Sequence, residues 1–218
     1  MSIRVVDYQD YLSQDPVVRQ RFIKNLGDSF SEIGFAIVSN HGVSEELKNK
    51  LFDLAQRYFS QADEIKRKDE DLSNNGQRGF IRKGRETAKG FTVPDLKEFY
   101  HVGQEVTDGD PIKKEYPDNI WPEQFPEFES ISMKVFRTFE KTGRDLLSAI
   151  ALYLNLEETY FDDKIHNGNS ILRLLHYYAI DHADEIPVGA VRAGAHEDIN
   201  LITLLMGGSA AGLQAQKT

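Results

Sequence analysis

Apolar positions along this chain recur with two different periods. Between Asp15 and Gly34 they fall at Phe22, Leu26, Phe30 and Ile33, a three-to-four spacing that gathers them on one face of a helix. Asp15-Pro16 supplies a capping carboxylate and a proline at the first helical position, and Gly34 supplies the stop. The run Phe35-Ala-Ile-Val38 predicts a short strand, and Asn40-His41-Gly42 a turn. Ser44, followed by Glu45 and Glu46, opens a second helix whose buried stripe is Leu47, Leu51, Leu54, Ala55 and Tyr58. Pro111, Pro117, Pro122 and Pro126 mark a connector, after which Val135, Phe139, Leu146, Ile150 and Leu154 define one long amphipathic helix.

From Ser170 the period becomes two. Leu172, Leu174, His176 and Tyr178 share one face of a predicted strand, and Ile171, Arg173, Leu175 and Tyr177 the other. A second strand is expected from His196 to Met206, closed by the turn residues Gly207-Gly208-Ser209, and a third from Leu213 to Gln216. Between Asp63 and Lys89 neither period holds; charged residues and Gly76, Gly79 and Gly84 predict an irregular, mobile, solvated stretch. Within it Arg78, Arg82, Lys83 and Arg85 read as an exposed basic loop face.

Composition narrows the chemistry. With 218 residues, 40% of them hydrophobic, the chain can bury a sizeable core. Its 35 acidic against 26 basic residues, net charge -9, argue against general affinity for nucleic acid or an anionic membrane surface and leave small-molecule or protein partners. It has no cysteine, so thiolate metal sites, disulfides and thiol nucleophiles are excluded, and a metal must sit on His, Asp, Glu or water. With no signal-peptide core and no long apolar run, the expected location is cytoplasmic. Gly207-Gly208-Ser209-Ala210-Ala211-Gly212 has neither the context of a dinucleotide-binding fingerprint nor the Gly-Lys-Ser/Thr of a phosphate loop.

His196-Glu197-Asp198 is the sharpest chemical feature. Residues i and i+2 of a strand project from one face, so an imidazole and a carboxylate at this spacing can converge on one metal ion. They make up two-thirds of the 2-His-1-carboxylate face that holds Fe(II) with positions open for oxygen and substrate. His41, His101, His166 and His182 read as structural histidines instead.

Val191 to Leu205, with Gly212-Leu213-Gln214 after it, resembles the metal-binding strand of the isopenicillin N synthase-like, Fe(II)- and 2-oxoglutarate-dependent oxygenases. Ile171 to Tyr178 is similar to that family's co-substrate strand, Gly34 to Val43 to its N-terminal signature, and Asp95 to Gly103 to a second landmark. The resemblance implies an α+β fold with a mainly β double-stranded β-helix (jelly-roll) core behind a helical N-terminal region. Residues 1–120 would be the non-haem dioxygenase N-terminal region, and 121–218 the support helix and first barrel strands.

In family terms His196 and Asp198 are metal ligands, and Tyr178 contacts 2-oxoglutarate. His176, standing where many members have asparagine, is a second candidate contact. The implied reaction couples oxidative decarboxylation of 2-oxoglutarate by dioxygen to hydroxylation or desaturation of a small organic substrate. The family's third ligand, a downstream histidine, and its 2-oxoglutarate-anchoring Arg-X-Ser have no counterpart here, since no His or Arg follows Asp198. The barrel is therefore expected to be truncated at the C-terminus. Two alternatives stay open: an isopenicillin N synthase-type oxidase that needs no 2-oxoglutarate, and a catalytically inactive binding module or fragment.

Overall fold

The computed structural model describes residues 3–87, 92–180, 186–208, 212 and 214. In chain order its strands and α-helices are β1 (Val5–Asp7), α1 (Tyr8–Tyr11), α2 (Pro16–Ile33), β2 (Ile37–Ser39), α3 (Glu45–Phe59), α4 (Asp63–Lys66), β3 (Gly79–Ile81), β4 (Glu98–Gly103), α5 (Phe128–Tyr153), α6 (Asp162–Ile165) and β5 (Ile171–His176). The class is α+β. These elements sort into two compact units interleaved along the chain, one of residues 1–43, 138–166 and 200–218, the other of 44–137 and 167–199. Among the described residues no helix is long and apolar enough to cross a membrane.

The first unit is organised by α2. Its start is set by Asp15, whose carboxylate accepts from the Val17 N–H, and its end by Gly34 at φ 80, a left-handed geometry that costs glycine nothing. Its apolar stripe, Phe22, Ile23 and Leu26, is buried against Val6, Tyr8 and Tyr11 and against Leu146 and Ala149 of α5. Each such side chain taken fully out of water contributes about 1.5–3 kcal/mol. β1 and β2 pair in parallel, Val6 opposite Val38.

One contact in this unit reverses a propensity argument. Alanine is the better helix former by about 1 kcal/mol, yet a Cβ on Gly27 would lie 2.1 Å from the Tyr153 ring. Tyr153 cannot swing aside freely, because its hydroxyl donates to Asp28 at 3.1 Å. Gly27→Ala is therefore expected to destabilise the protein by about 1–3 kcal/mol, the usual range for overpacking. Chemical denaturation checks it, and a neutral or stabilising result would refute the close packing.

In the second unit Ser44 caps α3 by accepting from the Leu47 N–H at 3.2 Å, and Leu47, Leu51, Leu54 and Tyr58 form the buried stripe. The sheet runs β3-β4-β5, antiparallel throughout, with Tyr100 opposite Phe80 on one side and Leu174 on the other. Tyr58 sits at the centre of the core, its ring 5.0 Å from that of Tyr100 and 5.6 Å from that of Phe128. Its hydroxyl donates to the buried Asp69 carboxylate at 2.9 Å. Burial pushes the Asp69 carboxyl upward, opposed by this hydrogen bond.

The stretch after Asp63 corrects an expectation. It contains α4 and β3, and Lys66, Asp69 and Arg78 are buried within it. Arg78, expected on an exposed loop face, is 0% exposed. Its guanidinium donates to Gln77 O and Asn169 Oδ1, each at 2.9 Å, and fills the space where a Cβ on Gly103 would otherwise stand, 1.8 Å from Cζ. Lys83 and Arg85 are exposed, as expected. The physical reason is partnering: a charged group enters a core when hydrogen-bonding groups elsewhere in the fold receive it, and composition counts charges without seeing those partners.

Candidate functional site

β5 carries the first part of the candidate site. Leu174 is buried and Leu172 and His176 half-buried, with exposed Ile171, Arg173 and Leu175 between them, and Tyr177 and Tyr178 continue the alternation as exposed and half-buried. The period-two pattern thus points His176 and Tyr178 inward on one face.

His176 lies directly opposite Glu98 on β4. Its Nδ1 is 2.8 Å from Glu98 Oε1, and its ring stacks on Phe59 with centroids 5.0 Å apart. Because a carboxylate oxygen accepts, Nδ1 carries the proton in this pairing. Glu98 is in turn held by Lys66 Nζ, 2.9 and 2.8 Å from its two oxygens, and both side chains are almost wholly buried. Burial raises the Glu98 carboxyl, but the hydrogen bonds from His176 and Lys66 outweigh it and leave the group below its ordinary value.

Tyr178 lies beneath the Lys83 ammonium, 4.2 Å from the ring centroid, and its carbonyl accepts from Arg192 Nη1 at 2.8 Å. Burial raises the Tyr178 hydroxyl, with the Glu98 charge acting the same way and Arg192 opposing it. Lys83 and Arg192, both exposed, put two cations around this tyrosine, a field suited to an anionic small molecule.

The second part is the segment 191–198. Leu96 N–H donates to Val191 O at 2.9 Å, and Gly194 N–H donates to Asp95 Oδ1 at 3.2 Å, so the segment is pinned beside the entry to β4. His196 Nε2 then stands 3.5 Å from Asp198 Oδ1, both side chains about half exposed, while His196 Nδ1 lies 2.8 Å from Gly194 O. A backbone carbonyl only accepts, so Nδ1 bears a proton and Nε2 is the ring nitrogen turned toward the Asp198 side.

That arrangement is how a metal-ligating histidine is oriented, one nitrogen committed to a carbonyl and the other left for the ion. The donor set, one imidazole nitrogen and one carboxylate, suits a divalent first-row metal and fits two positions of a facial triad. Among the described residues no group of three or more His, Asp or Glu gathers as a metal site.

The expected strand from His196 to Met206 is not formed. The segment has no ladder partner among the described residues, although exposed and half-buried residues still alternate from Leu201 to Met206. Ile202 and Leu204, from that alternation, pack on the core of the first unit. A strand is defined by its neighbour's hydrogen bonds as much as by its own pattern. Ser209 of the expected Gly207-Gly208-Ser209 turn, most of the strand expected from Leu213 to Gln216, and His182 lie outside the described residues.

Beside Asp95 lies a network of ions that the sequence does not announce, running from buried Asp95 and Lys97 through half-buried Glu86 to exposed Arg173. Lys97 Nζ lies 2.9 Å from Asp95 Oδ2 and 2.6 Å from Glu86 Oε2, and Arg173 Nη1 reaches Glu86 Oε1 at 3.1 Å. Arg173 Nε donates to His101 Nε2 at 2.8 Å, and His101 Nδ1 faces Gly76 O at 2.7 Å. Only the spacing of Asp95 and Lys97, opposite charges two residues apart, signals any of this locally. His41, read as structural, presents its carbonyl to Thr142 Oγ1 at 2.9 Å.

The chain is similar to known proteins over most of its length. Residues 3–124 match the family described as "non-haem dioxygenase in morphine synthesis N-terminal". The proline hydroxylase buaE of Petromyces alliaceus is 31% identical over 223 residues, covering 99% of this chain and 67% of its own length. The 2-oxoglutarate-Fe(II) type oxidoreductase hxnY of Emericella nidulans is 27% identical, covering 96% of this chain and 62% of its own length. The chain thus spans about two thirds of these relatives. Among solved structures, a 2OG-Fe(II) oxygenase family protein from Caulobacter crescentus superposes with TM-score 0.73 at 34% identity, over 83% of this chain and 58% of that one. A full-length Neurospora crassa protein solved in complex with alpha-KG gives TM-score 0.73 at 26% identity, over 88% and 59%.

Proposed function

Since this chain belongs to the non-haem, 2-oxoglutarate-dependent Fe(II) oxygenase family, we propose that it binds Fe(II) through His196 and Asp198 and takes 2-oxoglutarate beside His176 and Tyr178. In this reading it serves the hydroxylation or desaturation of a small organic substrate by dioxygen. When bound, the metal and 2-oxoglutarate supply the oxidising chemistry. The chain's own residues do the holding. Asp198 contributes the anionic ligand, His196 the neutral one, and the Gly194 carbonyl keeps the imidazole in the tautomer that leaves Nε2 free to bind. Lys83 and Arg192 attract the dicarboxylate toward Tyr178.

The observation that carries this reading is the pair itself: His196 Nε2 and Asp198 Oδ1 face each other at 3.5 Å, with the other ring nitrogen already committed. The likeness to solved 2OG-Fe(II) oxygenases supports a double-stranded β-helix as the core, with residues 1–120 its N-terminal region and 121–218 its support helix and first strands, of which β5 is one.

Mn(II) titration is the test. Removing a ligand should cost at least the roughly 10–100-fold in affinity associated with outer-shell partners, so His196→Ala and Asp198→Ala should each weaken Mn(II) by that factor or more. Equal affinity in both variants and the parent would overturn the assignment. Formation of succinate from 2-oxoglutarate separates this reading from an oxidase that needs no 2-oxoglutarate.

A further inference from the structure

His196 and Asp198 sit on a segment that pairs with no strand among the described residues, which raises the question of what holds His196 in place. Gly194, two residues before it, has no side chain to lock its backbone. Both polar groups of Gly194 are nevertheless engaged: the N–H on Asp95 Oδ1 at 3.2 Å, the carbonyl by His196 Nδ1 at 2.8 Å. Asp95 is 3% exposed, and its other oxygen is 2.9 Å from the ammonium of Lys97, itself 7% exposed. Lys97 is fixed a second time by Glu86 at 2.6 Å. A buried carboxylate that is paired and hydrogen-bonded this fully has one orientation available. The neighbouring Leu96 N–H holds Val191 O at 2.9 Å, so the segment is tied at two points to consecutive residues.

We propose that Asp95 is a positioning residue for the metal site: its carboxylate anchors the Gly194 backbone, whose carbonyl sets the ring orientation and tautomer of His196. The relay runs Lys97 to Asp95, Asp95 to Gly194 N–H, and Gly194 carbonyl to His196 Nδ1. Asp95 touches neither metal nor substrate and acts through a backbone residue. The inference rests on the reading of His196 and Asp198 as ligands and adds to it the device that holds them.

The experiment compares Mn(II) affinity by titration in the parent, Asp95→Ala, Asp95→Asn and His196→Ala, together with hydrogen exchange at the Gly194 amide. Asparagine keeps an oxygen to accept from Gly194; alanine does not. Asp95→Ala should therefore weaken Mn(II) about 10–100-fold and deprotect the Gly194 amide, whereas Asp95→Asn should keep most of the affinity and the protection. This rescue by the acceptor separates positioning from a general loss of stability. Should Asp95→Ala fail to fold, Asp95→Asn decides: retained affinity with a protected Gly194 amide supports the relay, and a loss as large as that of His196→Ala overturns it. A folded Asp95→Ala with the parent's affinity also overturns it. If His196→Ala binds Mn(II) as the parent does, the metal reading itself has failed, and Gly194 exchange in the Asp95 variants still reports whether the anchor exists.

Discussion

Replacing Lys66 by methionine is expected to lower the free energy of unfolding by about 3–5 kcal/mol, the cost of leaving one member of a buried ion pair without its partner. Lys66 is 2% exposed and Glu98 1%, and the lysine reaches both carboxylate oxygens within 2.9 Å. Methionine fills similar volume but has no proton to donate, so Glu98 would keep only His176 at 2.8 Å. Glu98 can instead take up a proton, since with Lys66 gone the upward push of burial on its carboxyl is opposed by His176 without the lysine's hydrogen bond and charge, but a carboxyl still has to bind that proton from neutral solution. The double variant Lys66→Met/Glu98→Leu should recover most of the loss, since an apolar pair of similar volume is often as stable as the buried ions it replaces. Urea denaturation of the two single variants and the double closes the cycle. A Lys66→Met cost below about 1 kcal/mol, the level of an exposed surface pair, would contradict the burial on which the argument stands.

The second large effect is in pH. His101 is buried, its Nε2 accepts from Arg173, and its Nδ1 faces a carbonyl, an arrangement built for the neutral ring. Burial, with the Arg173 charge beside it, depresses its pKa to about 4; Gly76 and Glu86 act the other way, and the Arg78 charge adds to the depression. In the unfolded chain the value returns to about 6.5. A histidine depressed on folding stabilises the native state above the unfolded value and loses that contribution as pH falls toward the folded one. The interval between about 6.5 and about 4 corresponds to about 3 kcal/mol.

Carboxylates titrate in the same window, so the measurement is a difference. The stability of the parent should fall between about pH 6.5 and about pH 4 more steeply than that of His101→Gln, whose amide can donate to Gly76 and accept from Arg173 without titrating. Parallel pH profiles would show that His101 is protonated in the folded protein at much higher pH than its surroundings indicate. The effect reaches the candidate site because Arg173, which His101 receives, also holds Glu86, and Glu86 holds Lys97.

Much of this architecture is legible along the chain. α2, α3 and α5 follow from apolar spacing and from caps at Asp15, Gly34 and Ser44, because helix formation is decided within a few residues on either side. β5 is legible from its alternation, which also separates inward His176 and Tyr178 from outward Arg173. His196 and Asp198 face each other at 3.5 Å, although the strand expected to bring them together is not formed.

The charged residues are where sequence and structure part. Lys66 and Glu98 are 32 positions apart, Glu98 and His176 are 78, and Gly194 and Asp95 are 99. Read locally, Lys66, Glu98, His176 and Asp95 are polar residues that belong in water; the placing of α4 against β4, the antiparallel register of β4 with β5 and the docking of 191–194 beside Asp95 supply their partners. The sequence by itself determined α2, α3, α5 and β5 and the caps Asp15, Gly34 and Ser44, because those depend on short-range periodicity. Tertiary structure alone decided which charges go inside and how His196 is held, because the cost of burying a charge is met only by groups that the fold brings from far along the chain.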